Sequence, residues 1–296
     1  MREKLPLLLE VAVKPKTPGD AAKLATALEE LAFDNPHLDT KIDSESGLSI
    51  LCGTSEPVLE DAAAKLVETG LQLNFGAPQV AYREVLAEPV TITYTHKKHL
   101  GSMGQFAKVE IDFIPQAPNF GFMIENAITD GSIPAEFIPS VAKGLSAQKE
   151  LGLRAGFPVI DFKATLKGGA YHEVDSSPLA FDIAARAAFR ELARHDVRLV
   201  EPVMRILVIT PEEFLGGVIG DLNSRRGQVQ GTVDLQLYQV VSAHIPLANM
   251  FNYHKTLRSM CQGRAAYVMD FDHYEMVPGP SGGDDAFPGA MGMRVA

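Results

Sequence analysis

The segment Gly168–Ser177, which reads GGAYHEVDSS, holds several residue types that could do chemistry close together. His172, Asp175 and Ser176 supply the side chains of a hydrolytic relay. However, no G-x-S-x-G turn precedes Ser176, and the members of such a relay normally come from distant segments of the chain. We therefore predict no catalytic residue here, and we keep a hydrolase centred on His172 as an alternative.

A structural role for part of this segment is also predicted. Ser176 or Ser177 can cap a helix that begins at about Pro178, because a serine oxygen accepts the free amides of a first helical turn. Asp175 can satisfy further free amides of the same turn. Capping accounts for the Asp-Ser-Ser string, but it gives no reason for the residues before it.

The first half of the segment indicates contact with RNA. Gly168 and Gly169 permit a close backbone approach, and Tyr171 and His172 follow them directly. An aromatic ring and an imidazole on a rigid tip can stack on unpaired bases, and the imidazole can donate to phosphate or ribose. We predict that Gly168–His172 contacts RNA.

Nucleotide and metal chemistry find little support in the sequence. A P-loop needs GxxxxGK followed by Ser or Thr, and the nearest string, GSMGQFAK at Gly101–Lys108, has the wrong glycine spacing and no hydroxyl after its lysine. His96 and His99 lack a third ligand nearby, and on a strand they would point to opposite faces. We therefore predict neither a cofactor nor a metal for this chain.

The charge balance limits the kind of partner. A formal net charge of -10 over 296 residues argues against a general nucleic-acid coat, which is usually basic. Local contact needs only a basic patch, and two patches exist, unless each is merely a solvated face. They are Thr95–His99 and the run Asn223, Ser224, Arg225 and Arg226.

Other compositional features predict a cytoplasmic protein. Cys52 and Cys261 are far apart in the sequence, which is typical of a reducing compartment without a disulfide framework. No apolar run approaches the length of a membrane span, and the N-terminus lacks the cleavage site of a signal peptide.

Two segments of the chain share the order strand, helix, strand, strand, helix, strand. Residues 1–80 and 201–278 are each predicted to form this ferredoxin-like βαββαβ unit. In the second, Thr210 and Glu213 are spaced as a capping box. Its last helix is predicted over residues 246–262.

The central segment, residues 81–200, has a different pattern. Alternating strands are predicted over residues 88–125, and a later strand over Pro158–Leu166 precedes the GGAYHEVDSS segment. The Gly- and Pro-rich tail 279–296 is predicted to be disordered. The fold class is therefore α+β, with two ferredoxin-like domains flanking an elongated α+β central domain.

Long strings of the sequence resemble a known family. They read GSIPAEFIPSVAKGL, AGFPVIDFKATL, YHEVDSSPLAFDIA, TPEEFLGGVIGDLNSRRGQVQG and LRSMCQGRAAYVMDFDHYEMVP. Together with APQVAYRE and IPLANMF, they are similar to the C-terminal half of bacterial translation elongation factor G. The resemblance covers roughly Leu7 to Pro278 and implies the third, fourth and fifth domains of that family.

The resemblance implies a ribosomal partner in protein biosynthesis. In the family, the fourth domain reaches the decoding region during translocation of tRNA and mRNA, and the fifth faces large-subunit RNA. Asn223, Ser224, Arg225 and Arg226 are the implied large-subunit-facing residues. The implied RNA-binding tip consists of Gly168, Gly169, Tyr171, His172, Glu173, Asp175, Ser176, Gly131, Ser132, Ile133 and Pro134.

The sequence also departs from the family pattern. It shows no counterpart of the two N-terminal domains that bind GTP and Mg, so this chain is not expected to be an enzyme although its parent would be a GTPase. Gly53–Glu60 lacks the histidine that the family carries there, and Met103 stands where relatives carry arginine. These changes indicate a diverged paralogue, and we expect the chain to be part of a longer protein.

Three functional hypotheses follow. The first is the ribosome-binding portion of an elongation factor G-like GTPase, which places the tip in the decoding region. The second is a free-standing ribosome-binding regulator or recycling factor without a GTPase domain. The third is the hydrolase centred on His172. The sequence favours the first, with a cytoplasmic location and no membrane partner.

Overall fold

A computed structural model describes residues 6–43, 47–100 and 103–278 of the chain, which divide into two compact units. One unit contains residues 6–81 together with Glu201–Glu275. The other contains Tyr82–Val200 and residues 276–278. Residues 279–296, which were predicted to be disordered, lie outside the described residues, as do Gly101 and Ser102 of the string GSMGQFAK.

The N-terminal part forms a βαββαβ domain, as predicted. Its elements are β1 (Leu9–Pro15), α1 (Asp20–Asp34), β2 (Leu38–Ile42), β3 (Ser49–Gly53), α2 (Glu56–Glu68), β4 (Leu73–Phe75) and a short β5 (Gln79–Val80). The sheet order is β2-β3-β1-β4, and β5 also pairs with β1. The helices bury Leu24, Leu28, Leu59 and Leu66 at helical spacing, because one stripe of each helix faces the apolar core.

The central part is built on a four-stranded sheet in the order β7-β8-β10-β9. Its elements are β6 (Arg83–Leu86), β7 (Val90–Leu100), β8 (Met103–Pro115), β9 (Phe122–Asn126), α3 (Ile138–Lys149), β10 (Phe162–Ala170) and α4 (Pro178–Glu191). Phe113, Phe162 and Phe189 contact one another in its buried core. The rings fix the sheet and α4 as the base from which the candidate tip projects.

The C-terminal part repeats the βαββαβ order. Its elements are β11 (Val197–Thr210), α5 (Leu215–Ser224), β12 (Gln228–Asp234), β13 (Gln239–Pro246), α6 (Tyr253–Met260) and β14 (Ala266–Met276). The sheet order is β12-β13-β11-β14, and the start of β11 pairs with β6. The matching order of the first and last sheets confirms the predicted α+β fold class with two ferredoxin-like domains.

The last helix of the C-terminal part is shorter than predicted. Asn252 has a left-handed φ of 58°, so the helix predicted over residues 246–262 is reduced to α6 and a short 3-10 turn at Leu247–Asn249. The predicted capping box is wrong, because Thr210 donates its hydroxyl to the Pro211 carbonyl and a 3-10 turn separates it from α5.

Strand β10 also differs from the sequence prediction, and this matters for the tip. The strand was predicted over Pro158–Leu166 but extends over Phe162–Ala170. It contains a β-bulge between Leu166 and Gly168 in its pairing with β8. Gly168 and Gly169 therefore belong to the strand, and the exposed loop begins only at Tyr171.

Candidate nucleic-acid interface

The candidate tip is the loop of residues 171–177 between β10 and α4. Ser177 is the N-cap of α4, and its side chain accepts a hydrogen bond from the Ala180 amide at 3.2 Å. Pro178 occupies the start of the helix, where its missing N–H costs nothing. Of the two serines that the sequence offered as caps, the structure uses Ser177.

Ser176 fastens the loop to the neighbouring strand. Its Oγ accepts from the His172 amide at 2.9 Å and donates to the Phe106 carbonyl of β8 at 2.7 Å. The Ser176 amide donates in return to the His172 carbonyl at 3.0 Å, and the Phe106 amide donates to the Asp175 carbonyl at 2.9 Å. These four bonds, which we call the tip clamp, hold the loop against β8.

Asp175 does not cap α4 as the sequence suggested. Its carboxylate lies beside Gly104 of β8, where an added Cβ would come within 2.4 Å of the carboxylate. Its Oδ2 is 3.5 Å from Nδ1 of His172. Asp175 thus helps to hold the loop against β8, and its carboxylate leaves no room for a side chain at position 104.

The side chains of residues 171–174 are exposed. Tyr171 and Val174 are 44% and 83% accessible, respectively, and the His172 side chain is 57% accessible. Glu173 is exposed as well. The tip therefore exposes an aromatic ring, an imidazole, an aliphatic side chain and a carboxylate on a loop whose backbone is hydrogen-bonded to β8.

The two glycines of the tip have different surroundings. A Cβ on Gly169 would lie 2.1 Å from the Lys108 carbonyl oxygen and 2.7 Å from Cδ1 of Ile133. A Cβ on Gly168 would meet only Oγ of Ser132, at 3.9 Å. Neighbouring atoms of the protein therefore leave no room for a side chain at Gly169, whereas the space beside Gly168 is available to a partner.

The second tip loop, Gly131–Pro134, lies beside Gly168 and Gly169 at the end of β10. Gly131 has a φ of 70°, which glycine adopts without strain. The Ser132 amide donates to Asp130 at 3.0 Å and holds the pKa of that carboxyl below its ordinary value. Ile133 is only 2% exposed. The prediction that its side chain contacts RNA is therefore corrected: the side chain packs inside the protein.

The basic run at the end of α5, Asn223–Arg226, is partly engaged in hydrogen bonds within the protein. Arg225 donates to the Asp221 carboxylate, the Asn249 carbonyl and the Thr256 hydroxyl, and its guanidinium lies 5.2 Å from the ring centre of Tyr253. Three of its five N–H groups are therefore engaged within the protein, and its side chain is only 19% accessible. The predicted contact of Arg225 with large-subunit RNA is corrected to a structural role.

The other residues of this run are exposed. Asn223 and Ser224 lie at the surface at the end of α5. Arg226 has a left-handed φ of 64° and donates to the buried carboxylate of Glu201 at 2.7 Å. Its side chain is still 45% accessible. Contact of Asn223, Ser224 and Arg226 with large-subunit RNA stays a prediction.

Glu84 is a key residue of the Tyr82–Val200 unit that the sequence analysis missed. It is fully buried, and its carboxylate accepts hydrogen bonds from the amides of Leu153, Arg154, Ala155 and Phe157. The alternation of β6, which also buries Leu86, could have revealed it, because it puts a charged residue at a core position.

Within residues 6–43, 47–100 and 103–278, no group of three or more His, Cys, Asp or Glu side chains is arranged to hold a metal ion. No helix in this part of the chain is long and apolar enough to cross a bilayer.

Comparison with known proteins gives consecutive matches along the chain. Residues 6–77 match the family model of elongation factor G domain III, residues 78–195 match domain IV, and residues 198–281 match the elongation factor G C-terminus. A crystal structure of a Thermus thermophilus protein superposes with a TM-score of 0.73 at 36% identity, covering 93% of this chain and 42% of that one.

Curated relatives agree with these matches. Elongation factor G of Wolbachia pipientis subsp. Culex pipiens (strain wPip) is 50% identical over 274 residues, and that of Anaplasma marginale (strain Florida) is 52% identical over 273. Each alignment covers 92% of this chain and 40% of the relative. The chain thus spans about 40% of the length of these relatives. It belongs to the elongation factor G family and consists of its domain III, domain IV and C-terminal domain types.

Proposed function

We propose that this chain is the ribosome-binding portion of an elongation factor G-like translational GTPase. The unit Tyr82–Val200 places the tip loop in the decoding region of the small subunit and promotes translocation of tRNA and mRNA. The observation that carries the proposal is the tip clamp, which holds exposed Tyr171 and His172 on a fixed backbone. The action is steric and positional, because a rigid tip in the vacated tRNA site opposes backward movement.

The remaining parts of the protein take separate roles in this proposal. The C-terminal domain faces large-subunit RNA through Asn223, Ser224 and Arg226. GTP and Mg bind domains outside the three domain types of this chain, and the chain contains no P-loop string. The protein acts in the cytoplasm, where ribosomes translate.

Binding to purified bacterial small ribosomal subunits tests the proposal. Because phosphate contacts are strongest at low salt, co-sedimentation is measured first at low ionic strength. The double variant Tyr171→Ala, His172→Ala should lower the affinity about tenfold or more, since stacking on one base alone contributes about 1–3 kcal/mol. No binding of the wild-type chain at low salt would refute the proposal.

A matched control separates a tip effect from a general one. Tyr238 and His254 have the same residue types, are exposed, and lie in the C-terminal domain that we assign to the large subunit. Tyr238→Ala, His254→Ala should leave small-subunit binding unchanged. An equal loss in both double variants would show that the tip has no special role.

The alternative of a free-standing regulator or recycling factor uses the same surfaces. Sequencing the gene upstream of Met1 distinguishes it. A P-loop in the same reading frame supports the GTPase, and a stop codon followed by a ribosome-binding sequence supports the free-standing protein.

A further inference from the structure

The ring of His172 is held by amides of its own loop. Its Nδ1 accepts hydrogen bonds from the amides of Val174 at 3.3 Å and Asp175 at 3.2 Å. A ring nitrogen that accepts a hydrogen bond presents a lone pair and carries no proton. In a neutral imidazole the single N–H is then on the other nitrogen, Nε2.

We propose that the loop fixes His172 as the Nε2–H tautomer, so that the tip presents one neutral, oriented hydrogen-bond donor to an acceptor atom on RNA. The RNA in this statement rests on the proposed function, whereas the tautomer does not. Nε2 lies on the edge of the ring opposite the loop amides, and the side chain is 57% accessible. The free N–H is therefore available to a partner.

The Asp175 carboxylate is a charged group that competes for Nδ1. Its Oδ2 is 3.5 Å away, which is longer than the 2.7–3.2 Å of an ordinary N–H···O bond. The two amides are closer and approach the same lone pair from a backbone that Ser176 holds in place. A proton on Nδ1 would face both amide hydrogens, so the geometry favours the Nε2–H form.

Ser176 is the positioning residue for this donor. It does not touch the ring, but its Oγ joins the His172 amide to the Phe106 carbonyl of β8. Loss of this hydroxyl removes two of the four bonds in the tip clamp. The amides of Val174 and Asp175 would then no longer be held opposite Nδ1, and the ring would sample both tautomers.

A neutral donor selects a particular RNA chemistry. The 2′-hydroxyl oxygen and the acceptor atoms on base edges bind a neutral N–H well. A cationic side chain, in contrast, gains most from phosphate and releases counterions when it binds. We infer that His172 recognises an uncharged acceptor and contributes little to the salt dependence of binding.

The tautomer is measured without any ribosome. The full chain is labelled with ¹⁵N-histidine, and at about pH 8.5, where histidine is neutral, the long-range couplings between ring protons and nitrogens identify the protonated nitrogen. The His172 signal is assigned by its loss in His172→Gln. We expect Nε2 to carry the proton, and an Nδ1–H signal or the mixture seen in free histidine would overturn the proposal.

Variants of Ser176 test its positioning role in the same spectra. Ser176→Ala should shift His172 towards the mixture of tautomers, and Ser176→Thr, which retains a hydroxyl, should restore the Nε2–H form. The other histidine signals report whether the fold is intact. A wild-type His172 signal in Ser176→Ala would show that Ser176 does not position the ring.

Binding to purified bacterial small ribosomal subunits then tests the use of the donor. Asparagine can replace Nδ1 as an acceptor but has no group at the Nε2 position, so His172→Asn retains the loop bonds and removes the donor. We expect its affinity to fall about tenfold, the effect of losing one good hydrogen bond, with an unchanged dependence on salt. Wild-type affinity, or a log–log salt slope reduced by about 0.7–0.9 as for one lost phosphate contact, would overturn the assignment of a neutral donor.

The two sets of results can fail separately. If the chain does not bind ribosomal subunits at all, the proposed function fails while the spectra still decide the tautomer. If the chain binds and His172 shows the Nδ1–H form, the proposed function stands and this inference fails.

Discussion

Glu84→Gln tests whether one buried carboxylate organises the central unit. The carboxylate receives the Leu153 and Ala155 amides at 2.8 and 2.7 Å, and longer bonds from Arg154 and Phe157. The Glu84 backbone bonds to the residues that follow: its amide donates to the Pro158 carbonyl, and its carbonyl accepts from the Ile160 amide. A single side chain therefore satisfies most amides of residues 153–157, which have no regular secondary structure of their own.

The size of the effect follows from the oxygen that glutamine replaces. If the amide keeps its oxygen at the position of Oε1, the Leu153 bond to Oε2 at 2.8 Å is lost. The Arg154 amide, which both oxygens share, loses its 3.2 Å bond to Oε2 and keeps the 3.3 Å bond to Oε1. Hydrogen bonds to a charged acceptor contribute about 1.5–3 kcal/mol each, so the lost Leu153 bond and the weakened Arg154 bond together amount to about 3 kcal/mol. The new NH₂ group also faces amide hydrogens, which adds repulsion to the loss.

Urea unfolding and hydrogen exchange measure this change. The two compact units can unfold separately, in which case one transition does not describe the whole chain. Exchange of the amides at residues 153–157 therefore reports the local effect, and the transition of the Tyr82–Val200 unit reports the global one. We expect both to show a destabilisation of about 3 kcal/mol.

Glu88→Gln is the matched control, because Glu88 is exposed and undergoes the same chemical change four residues further on. A surface substitution of this kind should alter the free energy of unfolding by no more than about 0.5 kcal/mol. Equal unfolding midpoints and equal exchange rates in the two variants would refute the role that we give to the Glu84 carboxylate.

Three further predictions concern other parts of the structure. The buried hydroxyl of Tyr253 has no hydrogen-bond partner in the described part of the chain, and burial raises its pKa. Tyr253→Phe should therefore raise the free energy of unfolding by about 1 kcal/mol, measured by urea titration. Gly169→Ala should disturb the tip, because its Cβ would lie 2.1 Å from a carbonyl oxygen, whereas Gly168→Ala meets nothing closer than 3.9 Å. Faster exchange of the tip amides in Gly169→Ala alone would confirm this difference. A hydrogen bond with His273 holds the pKa of Asp272 below its ordinary value, so the charged form contributes stability above about pH 4 that is lost as the pH falls through the lowered pKa. Unfolding of Asp272→Asn and wild type between pH 7 and 3 should differ at neutral pH and converge in acid.

The sequence predicted the βαββαβ order because local patterns determine it. Apolar positions at helical spacing, such as Leu24 and Leu28, became buried, and Ser177 became the cap of α4. The same reasoning extended the last C-terminal helix across Asn252, whose left-handed φ interrupts the helix. Helix and strand ends depend on tertiary hydrogen bonds that a sequence pattern does not contain.

The roles of individual polar side chains were harder to predict than the elements. Arg225 was expected to face large-subunit RNA, but its partners Asn249 and Thr256 lie 24 and 31 residues away. Glu84 reaches amides about 70 residues away. A charge in a sequence is normally taken as exposed, and only the folded chain shows that a distant segment has buried it.

The tip combines both kinds of information. Sequence reasoning located the segment, and the structure divides it into residues that build the tip and residues that a partner can reach. Gly169, Ser176 and Ile133 belong to the first group because they face β8 or the β10 backbone. Tyr171 and His172 belong to the second because their side chains are exposed. Substitutions in the first group should therefore change both loop exchange and ribosome binding, whereas substitutions in the second should change binding alone when the loop bonds are retained.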